Sequence, residues 1–371
     1  MPRGALHGIP FGVNVDGFPT RCNRVSRVDA PSAGSDADIV RRFKAQGAIF
    51  LGKLHTTEMA WLRPPPTFNP WNRTHTPDGS PSGSAAAVAA GMVPACDRHA
   101  DWCLLESAGR FLWCCRFQTE QRGDVFVGCC SAGTVVRYLR HHRGDRGRRL
   151  RGASSDPPGL LGAHATARDP TAKLDIVLPI DPLFDDLSAD GQRAYGATVD
   201  ALRSAGHRLS RQTLPVALGT VDTMPTLLFM YEVARAHQGL LAFAPGAIAE
   251  SLIDAIGQGL KITTDDDLHT CWQLAQAASA FFEGASSADA YLWPAAPGTA
   301  PQGLAWTGDW RFISPWTALG GPIVSMPTGL GDNGLPLGCL LYGRPGDDAN
   351  FADVAARIAA DGEVALPPKL H

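Results

Sequence analysis

The sequence predicts a layered α/β fold, because strand-like apolar runs alternate with segments of helical periodicity along much of its length. Two further observations support that class. Hydrophobic residues make up 44% of the 371 residues, enough to bury a sizeable core. Glycines stop the helical segments where a change of element is needed, as at Gly47 and Gly206. The length suits one large α/β domain or two ordinary ones.

The elements follow in order. Residues 36–47 read as a helix: Ser35 or Asp36 can cap it, Ile39, Val40 and Phe43 form its apolar face, and Gly47 ends it. Ala48 to Leu51 reads as a short buried strand. Gly52-Lys53-Leu54-His55-Thr56-Thr57-Glu58-Met59-Ala60 reads as a loop entering a helix. A Pro/Asn-rich connector from Pro64 to Pro77 leads to a Gly/Ser loop, then to a small-residue helix at Ala85 to Gly91. From Asp97 to about Gly152 periodicity of either kind fades, and arginines gather at Arg137, Arg140, Arg143, Arg146, Arg148, Arg149 and Arg151. Ordinary texture returns near Asp169. Asp175 to Leu178 is strand-like, and a helix from about Ser188 carries Tyr195, Val199 and Leu202 on one face up to Gly206. Leu337 to Tyr342 reads as a strand, and a final helix from Ala349 turns Phe351, Val354 and Ile358 inward. No internal repeat is present.

Composition narrows the function classes. A formal net charge of −3 gives no global attraction to nucleic acid or anionic membrane. Met1-Pro2-Arg3-Gly4 lacks the regions of a signal peptide. No run of about 18 apolar residues exists to span a bilayer. The expected location is the cytoplasm, where the nine cysteines stay as thiols. Cys96, Cys103, Cys114, Cys115, Cys129 and Cys130 crowd into one stretch.

The most informative segment is Thr76-Pro77-Asp78-Gly79-Ser80-Pro81-Ser82-Gly83-Ser84-Ala85-Ala86-Ala87. It is a Gly/Ser turn feeding a helix N-terminus, where free N–H groups and the helix dipole favour developing negative charge. Small side chains there admit a close second backbone. Alone, such a loop is more often a flexible turn. It is not alone: Leu6-His7-Gly8-Ile9-Pro10-Phe11-Gly12-Val13, the Gly52-to-Ala60 segment and Asn69-Pro70-Trp71-Asn72 precede it in order. Asp289-Ala290-Tyr291-Leu292-Trp293-Pro294-Ala295-Ala296-Pro297, Gly334-Leu335-Pro336-Leu337-Gly338 and Tyr342-Gly343-Arg344 follow. Together these motifs resemble the amidase signature family, over most of residues 5–95 and more loosely over 172–361.

The resemblance implies an α/β/α sandwich with a mixed central sheet flanked by helices, disrupted here at 97–168. It implies a single domain over 1–371, family-like at 1–96 and 169–371, with the stretch between disordered or misfolded. It implies hydrolysis of carboxylic amide C–N bonds by a serine, a bridging serine at a cis peptide and a lysine, without metal or organic cofactor. Ser80 matches the bridging serine. Gly79, Ser82 and Gly83 are the expected oxyanion and substrate-binding residues, and Met59 and Ala60 the expected border of the substrate site. The expected partner is a small-molecule amide, with a possible homodimer, no nucleic acid and no membrane.

The chain departs from the family pattern at several places. Pro81 and Asp78 stand where the family has serine and glycine. Val13 is followed by Asn14 rather than lysine, and an amide cannot accept a proton near neutral pH. Lys53 matches a family lysine of structural role. The family's Gly-Gly-Ser or Gly-Ala-Ser nucleophile element is missing from 97–152, and the helices that precede the first catalytic strand are expected to be truncated. Codon arithmetic suggests a cause. Phe111-Leu112-Trp113-Cys114-Cys115-Arg116-Phe117-Gln118-Thr119 can be encoded so that the frame one nucleotide later reads Phe-Cys-Gly-Val-Val-Gly-Phe-Lys, a missing family motif. His99 to Leu105 can likewise cover Thr-Gln-Thr-Gly-Ala-Ser, and Phe126 to Asp145 a further family-like run. The expectation is a frameshift near Cys96, restored by about residue 168, in an amidase-family chain that is inactive as written.

Rival readings of single residues are blander. Cys96, His99 and Cys103 do not make a good zinc framework, and the arginine run lacks the interleaved aromatics of a nucleic-acid surface. His7 and His55 read as structural. Trp306, Trp310 and Trp316 are candidates for an acyl pocket, though aromatics at such spacing are more often core. Two alternatives to a defective hydrolase stand beside it. One is a non-catalytic amide-binding relative, and the other is the amidase-like component of a tRNA-dependent amidotransferase.

Overall fold

The computed structural model describes residues 6–13, 35–36, 38–58, 61, 65–77, 79, 82–98, 116–118, 124–127, 172–242, 246–284, 288–345 and 348–361. Among them, one mixed sheet organises the chain. Its strands are β1 (Pro10–Val13), β2 (Ile49–Lys53), β3 (Ala95–Arg98), β4 (Arg116–Gln118), β5 (Asp124–Val127), β6 (Asp175–Ile180), β7 (Arg208–Thr213), β8 (Ala290–Pro294), β9 (Ile323–Leu330) and β10 (Pro336–Tyr342). Their spatial order is β2-β1-β3-β5-β4-β9-β10-β8-β6-β7. The two ends are parallel, β2-β1-β3 and β8-β6-β7, while the pairings from β3 through β8 are antiparallel.

Period-two alternation builds a core on each face. Ile176 and Leu178, Leu292, Val324 and Met326, and Leu341 enter one core, while Val177, Tyr291 and Trp293, Ile323, and Leu340 and Tyr342 enter the other. The first core is covered by α1 (Asp38–Ala45), α3 (Ala189–Ser204) and α8 (Asp348–Asp361), through Val40, Phe43, Val199, Leu202, Phe351, Val354 and Ile358. The second is covered by α4 (Leu218–His237), α6 (Thr264–Gly284) and α7 (Ser314–Leu319), through Leu218, Phe281 and Trp316. A separate cluster surrounds α2 (Ser82–Ala89), and α5 (Glu250–Gly259) packs on α4. This is the helix–sheet–helix sandwich expected from the sequence.

The local signals account for the element ends. Ser188 caps α3 by accepting from the Gly191 N–H at 3.2 Å. Gly47 and Gly206 close α1 and α3 with φ of 82° and 87°, a conformation costly for other residues. One expectation changes. The strand after Gly47 is not buried: Ile49 and Leu51 are 51% and 57% exposed, because β2 is an edge strand with one neighbour. Within the stretch where disruption is expected, the described residues are the short strands β4 and β5. Backbone pairing of β5 with β3 and of β4 with β9 joins the N-terminal and C-terminal strands. Val125, Phe126 and Val127 supply the β-favouring residues there. The rest of 99–171 lies outside the described residues, as do Asn14 and the other expected features of those segments. No helix among the described residues is long and apolar enough to cross a membrane.

Candidate active site

The site is assembled where β1 and β2 end. The Leu54 N–H reaches the Val13 carbonyl at 2.7 Å, extending the strand pair by one residue. The chain then crosses beneath the start of α2. There the Gly83 N–H donates to the His55 carbonyl at 3.0 Å. A β-carbon on Gly83 would lie 2.5 Å from the His55 nitrogen and 2.6 Å from its carbonyl oxygen. Glycine is required because two backbones touch. Gly83 therefore acts through its missing side chain, and its N–H is already engaged.

Gly79 is equally confined. A β-carbon there would meet Ser82 Oγ at 2.3 Å, Thr57 Cγ2 at 3.1 Å and Thr307 Cγ2 at 3.3 Å. Thr57, Ser82 and Thr307 are all buried. The structure thus brings together three of the expected site residues, Gly79, Ser82 and Gly83, at the N-terminal turn of a helix whose residues are all buried. Ser80, Asp78, Pro81, Met59 and Ala60 lie outside the described residues. Lys53 ends β2 opposite Val13.

The flanking motifs act as scaffold. Glu58, 1% exposed, accepts the Ala249 N–H at 2.9 Å and so fixes the start of α5, where a carboxylate also suits the helix dipole. Trp61 stacks on Phe229 of α4 with ring centroids 5.3 Å apart. Asn69 is fully buried; its side chain accepts the Trp71 N–H at 2.9 Å and donates to the Thr76 carbonyl at 3.1 Å. The Thr76 N–H then donates to the Pro301 carbonyl, and the Gly303 N–H to the Thr74 carbonyl. The Asn69-to-Pro77 loop is thereby stapled to the segment that carries Thr307. His55 Nδ1 lies 2.9 Å from Thr67 Oγ1 at an exposed position.

The C-terminal motifs supply the floor of the second core. Tyr291 and Trp293 stand on β8, and Trp316 of α7 packs 5.8 Å from Trp293 and 4.8 Å from Tyr342. Trp316 is fully buried core rather than a pocket wall, whereas Trp306 is 52% exposed. Sequence reasoning missed Thr57 and Thr307 as the walls around Gly79. Burial pushes the Asp222 carboxyl of α4 above its ordinary range, and the Ser314 hydroxyl draws it partly back down. Among the described residues, no group of three or more His, Cys, Asp or Glu side chains is placed to hold a metal ion.

The comparisons with known proteins agree with this architecture. The family model described as Amidase matches residues 1–96. "Putative amidase AmiA2" of Mycobacterium tuberculosis is 29% identical over an alignment of 412 residues that covers 96% of this chain and 80% of that protein. "Putative amidase AmiB2" of the same organism is 47% identical over 97 residues, covering 24% of this chain and 21% of that protein. A Glutamyl-tRNA(Gln) amidotransferase component of Halothermothrix orenii is 40% identical over 103 residues, covering 24% of this chain and 21% of that protein. A crystal structure of amidase superposes with a TM-score of 0.76 at 21% identity, covering 96% of this chain and 85% of that one. By its ordered motifs, its sheet and its relatives the chain is similar to the amidase family of C–N hydrolases, with the family model matching its first 96 residues.

Proposed function

We propose that this chain is an amidase-family protein that retains a pocket for a carboxylic amide but, as written, lacks the groups that would cleave it. The observation that carries this reading is the contrast between two halves of one site. Gly79, Ser82 and Gly83 sit packed between Thr57, His55 and Thr307 at the start of α2. The sequence offers Asn14 where the family's base would stand, and no Gly-Gly-Ser or Gly-Ala-Ser element between Asp97 and Gly152. Ser80 remains as the bridging serine, without the nucleophile it would activate or the lysine that would take its proton. Losing a triad nucleophile costs on the order of a million-fold in turnover.

The cause we assign is a frameshift between about Cys96 and residue 168. The shifted frame of the gene should encode Thr-Gln-Thr-Gly-Ala-Ser and Phe-Cys-Gly-Val-Val-Gly-Phe-Lys. The test is to sequence the gene and express the frame-corrected chain. Release of ammonia or amine from small aliphatic or aryl amides supports the reading only if the corrected serine is required. A nucleotide sequence whose shifted frame encodes neither string removes it. Dependence of activity on further protein chains and charged tRNA would instead favour the amidotransferase reading, which the similarity to the Halothermothrix protein keeps open.

A further inference from the structure

Thr57 carries a hydroxyl that the fold does not use. The residue is 1% exposed, and its Oγ1 finds no hydrogen-bond partner among the described residues. A hydroxyl buried in this way gives up its bonds to water and gains none in return. The scaffold around it behaves differently. The His55 carbonyl accepts from the Gly83 N–H, the Glu58 carboxylate accepts from the Ala249 N–H, and the Asn69 side chain both accepts and donates.

The unused hydroxyl stands at the site itself. Thr57 Cγ2 lies 3.1 Å from the point where a β-carbon on Gly79 would sit. Oγ1 and Cγ2 hang from the same carbon, and β-branching holds that side chain stiffly, so the hydroxyl is confined to the surroundings of Gly79. Ser82 Oγ and Thr307 Cγ2 bound the same point. Ser82 is also the first residue of α2, an eight-residue helix. The surface is close on both sides. His55, two residues before Thr57, is exposed, and Trp306, beside Thr307, is 52% exposed.

The two ends of a carboxamide call for opposite partners. Its oxygen suits a helix N-terminus, where the positive end of the dipole lies. Its nitrogen needs an acceptor, and a threonine hydroxyl offers two lone pairs. From this we infer that Thr57 is a specificity-determining residue of the site, its Oγ1 accepting the N–H of a bound carboxamide whose oxygen faces the start of α2. The inference rests on the amide-binding reading above and names the amides favoured, those with an N–H to donate. A carbonyl compound without that N–H leaves Oγ1 as unsatisfied as it is in the free protein.

The test is calorimetric binding to the full-length protein of primary alkanamides, each beside the methyl ketone of the same chain, which keeps the shape and the carbonyl but has no N–H. At least one amide should bind about five-fold tighter than its ketone, the usual net worth of one hydrogen bond. Thr57→Val should erase that advantage, and Thr57→Ser should keep it. Urea unfolding of the ligand-free variants supplies a second readout. Thr57→Val should unfold at a higher midpoint than the unmodified protein, because a methyl replaces a buried hydroxyl that bonds to nothing. A lower midpoint would show the hydroxyl serving the fold and overturns the inference. So does an amide advantage that survives Thr57→Val. Equal binding of amide and ketone throughout the series by the unmodified protein overturns the inference alone. Failure of every amide and ketone to bind overturns the amide-binding reading and the inference with it.

Discussion

Replacing Gly83 by alanine probes the contact on which the site is built. The added β-carbon would sit 2.5 Å from the His55 nitrogen and 2.6 Å from its carbonyl oxygen. Both are backbone atoms, so no side chain can rotate aside. Restoring ordinary contact at 3.4 Å requires the start of α2 and the His55 segment to separate by roughly 0.9 Å. Overpacking of this kind costs about 1–3 kcal/mol. The same movement weakens the Gly83 N–H bond to the His55 carbonyl, which adds about 1 kcal/mol. Gly83→Ala should therefore lose about 3 kcal/mol, a fall of about 1 M in the urea midpoint for a slope of about 3 kcal/mol/M. Gly52→Ala is the control, because a β-carbon there meets nothing within 4 Å. Its midpoint should stay close to that of the unmodified protein. Equal midpoints for Gly83→Ala and Gly52→Ala would refute the packing of α2 against the motif before it.

Other substitutions test separate parts of the account. Glu58→Ala should cost about 1–3 kcal/mol in urea unfolding, because the Ala249 N–H loses its acceptor, and Glu58→Gln should cost less. Trp316→Ala should cost about 3–5 kcal/mol, since the indole fills the second core against Trp293 and Tyr342. Asp222→Asn should stabilise the ligand-free protein at pH 7. Burial raises this carboxyl in the folded state above its ordinary value of 3.8, so its contribution is present below that value and is lost as pH rises through the folded-state value. The gain from Asn should thus vanish in urea unfolding below about pH 4, where both states are protonated. A gain that persists unchanged into acid would contradict the assignment.

Much of the fold is legible where one periodicity dominates. The final helix faces Phe351, Val354 and Ile358 inward as its spacing requires, and α3 starts at Ser188 and stops before Gly206 as its caps require. The long α4 is less legible. It buries Leu218, Val221, Leu228, Phe229 and Val233 against α5, α6, α7 and Trp61, so no single apolar stripe marks it, and Pro225 interrupts its pattern. Ile49 and Leu51 read as core because apolar content cannot tell a central strand from an edge. In the site, the glycines are legible as positions of close approach, but their neighbours are not. Thr57 and Thr307 are 250 residues apart in sequence and meet across Gly79 only in the fold.

The most direct test of the central claim is the release of ammonia from simple carboxamides by the purified chain of this composition, at high enzyme concentration. The account predicts no release above the uncatalysed background, from a protein that nonetheless binds the same amides. Turnover abolished by altering one residue between Asp97 and Gly152 would contradict it, because that stretch would then hold the nucleophile said to be missing.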